Sequence, residues 1–191
     1  MVALYLAGPE VFLPQARSIG VAKKKLCARW GYEGLFPLDS NLPVVSGEDV
    51  AMHIYRANID MIDKCEAIVA NLTPFRGPSA DAGTIFEIGY ALGTGKPVFA
   101  YINVLADYRS RVIDSHGPLV VTKDDEWGAD GMAVENFGLR DNLMIAQSIA
   151  AQGWEIIAHS AAADALFTDL QGFEMSLRRV REHLAPERAL R

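Results

Sequence analysis

Three stretches in the middle of the chain decide its architecture: Glu66-Ala-Ile-Val-Ala-Asn-Leu72, Pro78-Ser-Ala-Asp-Ala-Gly-Thr-Ile-Phe-Glu-Ile-Gly-Tyr-Ala91 and Val98-Phe-Ala-Tyr-Ile102. The first, apolar over Ala67–Ala70, and the third, apolar throughout, have the pattern of strands buried on both faces of a parallel sheet. The second passes from a loop into a helix that Gly93-Thr-Gly-Lys-Pro97 stops. Strand, helix and strand in this order make a βαβ unit. Asp81 and Glu87 stand on either side of the point where loop becomes helix. A carboxylate in the first turn of such a helix is held ionised by the helix dipole and nearby backbone N–H groups. It also lies at the C-terminal edge of the sheet, where open α/β folds bind ligands. An ionised carboxylate there can attack a carbon.

A plainer reading competes with this one. Thr84-Ile-Phe-Glu87 fits a capping box, in which the Thr hydroxyl and the Glu carboxylate tie down the start of a helix. A capping Glu needs neither a second acid before it nor a glycine beside it. Asp81 supplies the acid, and Gly83 lets the backbone approach another group closely. The two together favour a functional site.

The βαβ rhythm extends outward from this centre. Val2–Ala7 is a continuous apolar run closed by Gly8-Pro9, as in a central parallel strand. Helical spacing over Gln15–Trp30 places Ile19, Ala22, Leu26 and Trp30 on one side with basic residues between them, and Leu35-Phe36 reads as a short strand. Asp39–Gly47 is a loop, and Glu48–Lys64 a helix with Met52, Tyr55, Ile59 and Ile62 along one side. These alternations predict a doubly wound parallel α/β sheet, a flavodoxin- or Rossmann-like three-layer sandwich forming a single domain over residues 1–191. Residues 103–139 break the rhythm; Tyr108, His116, Trp127 and Phe137 there suggest an ordered loop near the site. Asp141–Gln152 has helical character. A last helix over Ser160–Leu184, with Leu166, Leu170, Phe173, Leu177, Val180 and Leu184 spaced by fours and threes, either covers one face of the sheet or meets another subunit.

Composition narrows the function classes. Half of the 191 residues are hydrophobic and 22% are charged, which is ordinary for a soluble enzyme. The formal charge of −6, with no basic run longer than Lys23-Lys24-Lys25, argues against a nucleic acid polymer as partner. Cys27 and Cys65 lie too far apart in sequence for a metal or redox motif and read as core thiols of a reducing compartment. The N-terminal apolar run lacks a basic flank and is cut by Gly8, Pro9 and Glu10, so it reads as a strand rather than a signal peptide. No apolar stretch has the ~20 residues of a membrane helix. The expectation is a cytoplasmic protein without membrane contact.

Several familiar sites are excluded by spacing. Gly93-Thr-Gly95-Lys96 has Tyr90 where a phosphate-binding loop needs its first Gly, and Pro97 where it needs Ser or Thr. No Gly-x-Gly-x-x-Gly is present for a dinucleotide and no Gly-x-Ser-x-Gly for a nucleophilic serine. His53, His116, His159 and His183 share no ligand-like spacing. What remains is carboxylate chemistry without a metal or cofactor.

At this point the chain resembles the nucleoside 2-deoxyribosyltransferase family, through four stretches in order. Tyr5-Leu-Ala-Gly-Pro9 resembles its first strand and loop. Tyr55-Arg-Ala-Asn-Ile-Asp60, Asp63-Lys-Cys-Glu66 and Ala70-Asn-Leu-Thr-Pro-Phe-Arg-Gly-Pro78 resemble its middle. Asp81-Ala-Gly-Thr-Ile-Phe-Glu-Ile-Gly-Tyr-Ala91 resembles its catalytic segment, and Asp141-Asn-Leu-Met144 the stretch that completes the pocket. The resemblance implies Glu87 as nucleophile, Asp81 as its partner acid and Tyr5 as the tyrosine that orients the nucleophile. It implies Gly8 and Asn58 at the substrate, with Asn142 and Met144 inserted into a neighbouring subunit's pocket. The implied partners are therefore deoxynucleosides, free nucleobases and further copies of the chain in a homo-oligomer with shared active sites. Asn58 stands where many members carry an Asp, and an amide has no titratable proton to give. Asp81, Asp60 or water is then left as the acid.

The chemistry suits the residues. Breaking an N-glycosidic bond passes through an oxocarbenium-like transition state, which a carboxylate traps as a covalent sugar ester. Attack by a second base on the same face retains the configuration. Phe12, Phe75 and Phe86 are candidate walls for a pocket that admits a base and disfavours water. The nearest rival is a 2-deoxynucleoside 5-monophosphate N-hydrolase, which needs a phosphate site in the first loop, where Glu10 would repel the anion. A non-catalytic nucleotide-sensing module is the other class.

Overall fold

The computed structural model describes residues 1–40, 50–123 and 125–184. Five strands, β1 (Val2–Ala7), β2 (Tyr32–Leu35), β3 (Ala67–Asn71), β4 (Val98–Ile102) and, past a two-stranded hairpin of β5 (Val120–Val121) and β6 (Glu126–Trp127), β7 (Ile157–Ala158), build the molecule. The main sheet is parallel in the order β2-β1-β3-β4-β7. The chain moves to one side of β1 to form β2 and to the other to form β3. The crevice between β1 and β3 is therefore the topological switch point, where doubly wound sheets bind ligands.

Among the described residues six α-helices accompany the strands: α1 (Ala16–Arg29), α2 (Val50–Lys64), α3 (Ala82–Gly93), α4 (Tyr108–His116), α5 (Leu143–Ala150) and α6 (Gln171–Leu184). Because successive strand residues point to opposite faces, two cores form. Leu4, Leu6, Val69, Phe99 and Tyr101 pack with Cys27 of α1 and Phe173, Leu177 and Val180 of α6. Tyr5, Ile68, Ala70 and Ile102 pack with Ile62 of α2, Ile88 of α3 and Ile145 and Ile149 of α5. This is the three-layer α/β sandwich expected from the sequence. The N-terminal run is the strand β1, and both cysteines are buried and free. Among the described residues no helix is long and apolar enough to cross a membrane.

Several boundaries differ from expectation. The second strand precedes Phe36, because pairing with β1 sets Val2 opposite Tyr32 and Tyr5 opposite Leu35. The stretch 103–139 is no simple loop: it holds α4 and the β5–β6 hairpin. Helix α4 has no apolar stripe to announce it and is started by Asp107, whose side chain accepts from Ser110 N at 2.8 Å. The C-terminal helix starts at Gln171 rather than Ser160, because Asn103 Nδ2 donates to the carbonyls of Leu166 and Asp169 and holds that segment in turns. On α2 only Ile62 of the expected side is buried, while Met52 and Tyr55 face outward. Most of the expected Asp39–Gly47 loop, and the start of its helix at Glu48, lie outside the described residues.

The largest departure concerns charge. Glu10, read from sequence as a charge that would repel a phosphate, and Lys23, from the longest basic run, are fully buried and form an ion pair on the α1/α6 side. Glu10 Oε1 also accepts from Asn71 Nδ2 at 2.9 Å and from the Tyr101 hydroxyl at 3.1 Å. The Lys23 ammonium lies 5.1 Å from the Phe173 ring centroid. Gly8 is obligatory above this network: a Cβ there would meet Glu10 Oε2 at 2.0 Å and Asn71 Cβ at 2.9 Å. Removing one member of a buried pair strands the other charge, at a cost of ~3–5 kcal/mol. Lys23→Met should therefore lower unfolding stability by about that much in urea titration. The double variant Glu10→Gln/Lys23→Met, which leaves no buried charge, should recover most of the loss.

Candidate active site

Strand parity sets the first geometric fact. Tyr5 is buried on the side of β1 that faces α2, α3 and α5, and its hydroxyl donates to Glu87 Oε1 at 2.6 Å. Asn58 Nδ2, from α2, donates to the same oxygen at 3.5 Å. Three separate elements therefore meet at one carboxylate oxygen, and among the described residues no hydrogen bond engages Oε2. Asn58 Oδ1 is buried with no hydrogen-bond partner among the described residues. A buried acceptor of this kind lacks a donor that a bound ligand can supply.

Asp81 is the N-cap of α3, accepting from Thr84 N at 3.0 Å and from Thr84 Oγ1 at 3.2 Å through Oδ2. The capping box proposed for Thr84 and Glu87 does not form, because Asp81 already occupies the cap and Thr84 lies inside the helix. Gly83 keeps that cap uncrowded, since a Cβ there would stand 3.1 Å from Asp81 Oδ2. Asp81 alone is at the helix start. Glu87 is a turn further on, and the expectation of a carboxylate held ionised by the helix terminus does not extend to it. Burial pushes the Glu87 carboxyl up to about 7, and the Asp81 charge adds to the rise; the bonds from Tyr5 and Asn58 act in the opposite direction. Burial likewise raises the Tyr5 phenol, with the Glu87 charge adding, so Tyr5 stays the donor.

The aromatic candidates separate into two places. Phe12 and Phe75, from the loops after β1 and β3, stack with centroids 5.1 Å apart and planes at 15°. Phe167 meets Phe75 edge-on at 6.3 Å. Phe86 instead joins Tyr55 and Tyr90 in an exposed cluster on the outer side of α2 and α3, so it does not extend the Phe12–Phe75 wall. Gly8, at the head of the first loop, is set by its packing over Glu10.

Asn142 caps α5: its Oδ1 accepts from Met144 N at 3.0 Å, and its Nδ2 donates to Glu135 Oε1 at 2.7 Å. Met144 is 71% exposed and belongs to no core of its own chain. The buried residue before them, Asp141, accepts from Ser79 Oγ, from Ala80 N at 3.1 Å and from Asn142 N at 2.8 Å. Arg111 stands beside it and donates to the carbonyls of Pro78, Ala106 and Arg140. The cap of α3 and the cap of α5 thus rest on one buried ion pair.

The sequence reading gave no role to Arg111, Glu135 or Arg76. Arg111 and Glu135 lie in the stretch read as loop, where no periodicity marks a buried charge. Arg76 is the one non-glycine residue with positive φ (56°) among those described, a conformation that costs a residue other than glycine ~1–3 kcal/mol. The only sequence hint was the following Gly77-Pro78. Glu10, invoked against a phosphate in the first loop, is buried and neutralised by Lys23, so it does not repel an anion there.

The sequence and the fold find counterparts in known proteins. The family model for nucleoside 2-deoxyribosyltransferases matches residues 4–144. A 2-deoxyribosyltransferase from Leishmania mexicana is 30% identical, with a TM-score of 0.65 over 96% of this chain and 99% of that one. A conserved protein from Enterococcus faecalis V583, 18% identical, shares the fold with a TM-score of 0.55 over 94% of this chain and 98% of that one. An uncharacterized protein of Schizosaccharomyces pombe is 27% identical over 182 residues, 88% of this chain and 86% of the relative. The stretch matched by the family model begins inside β1 and ends at Met144, taking in Tyr5, Asn58, Asp81 and Glu87, and the chain belongs to the nucleoside 2-deoxyribosyltransferase family.

Proposed function

We propose that the protein transfers a 2-deoxyribosyl group from one nucleobase to another, with Glu87 as the nucleophile. The observation that carries this reading is the asymmetric hold on Glu87: Tyr5 and Asn58 both donate to Oε1, and among the described residues no hydrogen bond engages Oε2, the oxygen that would attack. In the first step Oε2 bonds to the anomeric carbon as the C–N bond breaks. The electron pair passes to the base nitrogen, which takes up a proton. In the second step a nitrogen of the incoming base attacks the same carbon, the ester bond to Glu87 breaks, and the base loses its proton. Glu87 attacks from the face opposite the departing base and the incoming base from the face opposite Glu87, so two inversions retain the configuration. Tyr5 stabilises the carboxylate as it re-forms. Asp81, with Oδ2 engaged by Thr84, has Oδ1 left to hold a sugar hydroxyl or the departing base. Asp60 pairs with Lys64 on the exposed side of α2, which leaves Asp81 or water as the acid.

The monophosphate N-hydrolase shares the same nucleophile and no longer has Glu10 against it. A non-catalytic sensor would not need the free oxygen on Glu87. Incubation with a deoxynucleoside and a different free base separates the three: exchanged nucleoside supports transfer, free deoxyribose phosphate from a nucleotide supports hydrolysis, and unchanged ligand supports sensing.

We also propose that active sites are shared between copies of the chain. Met144 is exposed, and Met52, Tyr55 and Phe86 form further apolar surface that a second copy can cover.

Glu87→Ala should abolish exchange, a loss of several orders of magnitude in kcat. Mass spectrometry of the wild type with a deoxynucleoside should show a deoxyribosyl adduct on Glu87; substantial turnover by the variant would overturn the assignment. Since the folded protein favours the protonated form of Glu87, its contribution to stability is present below the unfolded pKa and is lost as pH rises through about 7. Glu87→Gln should therefore be more stable than the wild type at pH 8, by up to ~3 kcal/mol, with the difference vanishing near pH 4.

The acid limb of kcat/KM reports ionisation of the nucleophile in the free enzyme. Tyr5→Phe removes a bond that lowers the Glu87 pKa, so the limb should move to higher pH while the plateau falls. An unmoved limb would mean that another group controls it.

Sharing of sites is tested by mixing. Asn142→Ala and Glu87→Ala chains, each inactive alone, should regain activity when combined, because some pockets then join an intact Glu87 to a neighbour's intact Asn142. Failure despite demonstrated subunit exchange would place both residues in one chain's pocket.

A further inference from the structure

Arg76 has no part in the chemistry described so far, yet four observations single it out. It lies in the loop from β3 to α3, at the switch-point edge of the sheet, in a turn closed by the bond from Phe75 N to Ser79 O at 3.0 Å. Its backbone sits in the left-handed region with Gly77 next to it, so the chain keeps an arginine where a glycine would be relaxed. Such conformations persist where the surroundings over-determine them, and they gather at ligand clamps. Its guanidinium carbon is 4.8 Å from the Phe75 centroid and 5.5 Å from that of Phe12. Among the described residues no carboxylate pairs with it.

We propose that Arg76 and the Phe12–Phe75 stack form the nucleobase-selecting subsite, and that its preferred base is a purine carrying oxygen at position 6. This rests on the transferase reading above. Phe12 is 55% exposed and offers an aromatic face on which a planar base stacks. The guanidinium beside that face has donors and no acceptor. Hypoxanthine and guanine present two adjacent acceptors, N7 and O6, that match the fork of a guanidinium. Adenine sets an amino donor beside N7, so donor meets donor and one of the two bonds is replaced by a repulsion. Thymine offers O4 without a neighbouring acceptor, and cytosine an amino donor. A phosphate would also attract the cation, but it has no planar face to use the phenyl stack. The combination therefore favours a base over an anion.

The test compares wild type with Arg76→Met, Arg76→Lys and Arg76→Gly, the last being suited to the backbone conformation. Calorimetric binding of free hypoxanthine and of free adenine needs no turnover. The wild type should bind hypoxanthine roughly 10- to 100-fold more tightly, and Arg76→Met should lose that preference with adenine binding held within ~3-fold. Lysine, a point donor, should restore part of it. Glycine should behave as methionine does, which assigns the effect to the side chain and not to the turn. In kinetics with a common acceptor base, the loss for deoxyinosine should appear mainly in KM, with deoxyadenosine little changed. An unchanged preference in Arg76→Met, an equal loss for both bases, or a loss seen only with deoxyinosine 5-monophosphate would overturn the proposal, the last assigning the guanidinium to phosphate. If hypoxanthine is preferred in binding but no base is exchanged, the transferase reading fails and the subsite stands. If exchange proceeds without base preference, the subsite fails and the transferase reading stands.

Discussion

The hydrogen bond from Tyr5 to Glu87 joins the first strand of the sheet to the helix that follows its third, and the geometry of the site depends on it. It forms because β1 pairs with β3 and because the parity of β1 turns Tyr5 toward α3. A buried phenol needs an acceptor and a buried carboxyl needs a donor. Each satisfies the other at the one place where the two elements meet. The same burial raises the Glu87 carboxyl to about 7, so the group that must be charged for the proposed chemistry is one whose charge the fold disfavours. Asp81, on the cap of the same helix, raises that cost further. Perturbation by burial and by a neighbouring acid is the pattern found at functional carboxylates.

Two buried ion pairs hold the loops around this centre, one on each side of the sheet. Glu10 and Lys23 anchor the loop after β1 from beneath, and Gly8 is glycine because the Glu10 carboxylate occupies the space a Cβ would need. Arg111 and Asp141 gather the carbonyls of Pro78, Ala106 and Arg140 with the backbone N–H groups of Ala80 and Asn142. Buried pairs are weak sources of net stability. Their contribution here is position: each ties the end of a strand or the cap of a helix to residues distant in sequence. The loops that carry Phe12, Asp81 and Asn142 are therefore supported from below rather than free to drift.

The sequence alone determined the parallel sheet and the positions of its central strands, because continuous apolar runs and the glycine and proline stops between them are local signals. It also contained the family's motifs, since these are contiguous stretches. Only the tertiary structure decided between a Glu87 that caps α3 and one turned to Tyr5 and Asn58. That choice turns on which residue caps α3, and both Asp81 and Thr84 were eligible by type. It likewise decided the burial of Glu10 and Lys23, because only the opposing elements bring the two charges together as a pair. Helix α4 was invisible for a related reason: its stability comes from a cap and a buried arginine, not from an apolar stripe. Leu166 and Leu170 continued the spacing of α6 on paper, but Asn103, about sixty residues earlier, binds the carbonyls of Leu166 and Asp169 and ends the pattern. Periodicity reports what a segment can bury, and the long-range hydrogen bonds and charge pairs that decide what it does bury exist only once the chain has closed on itself.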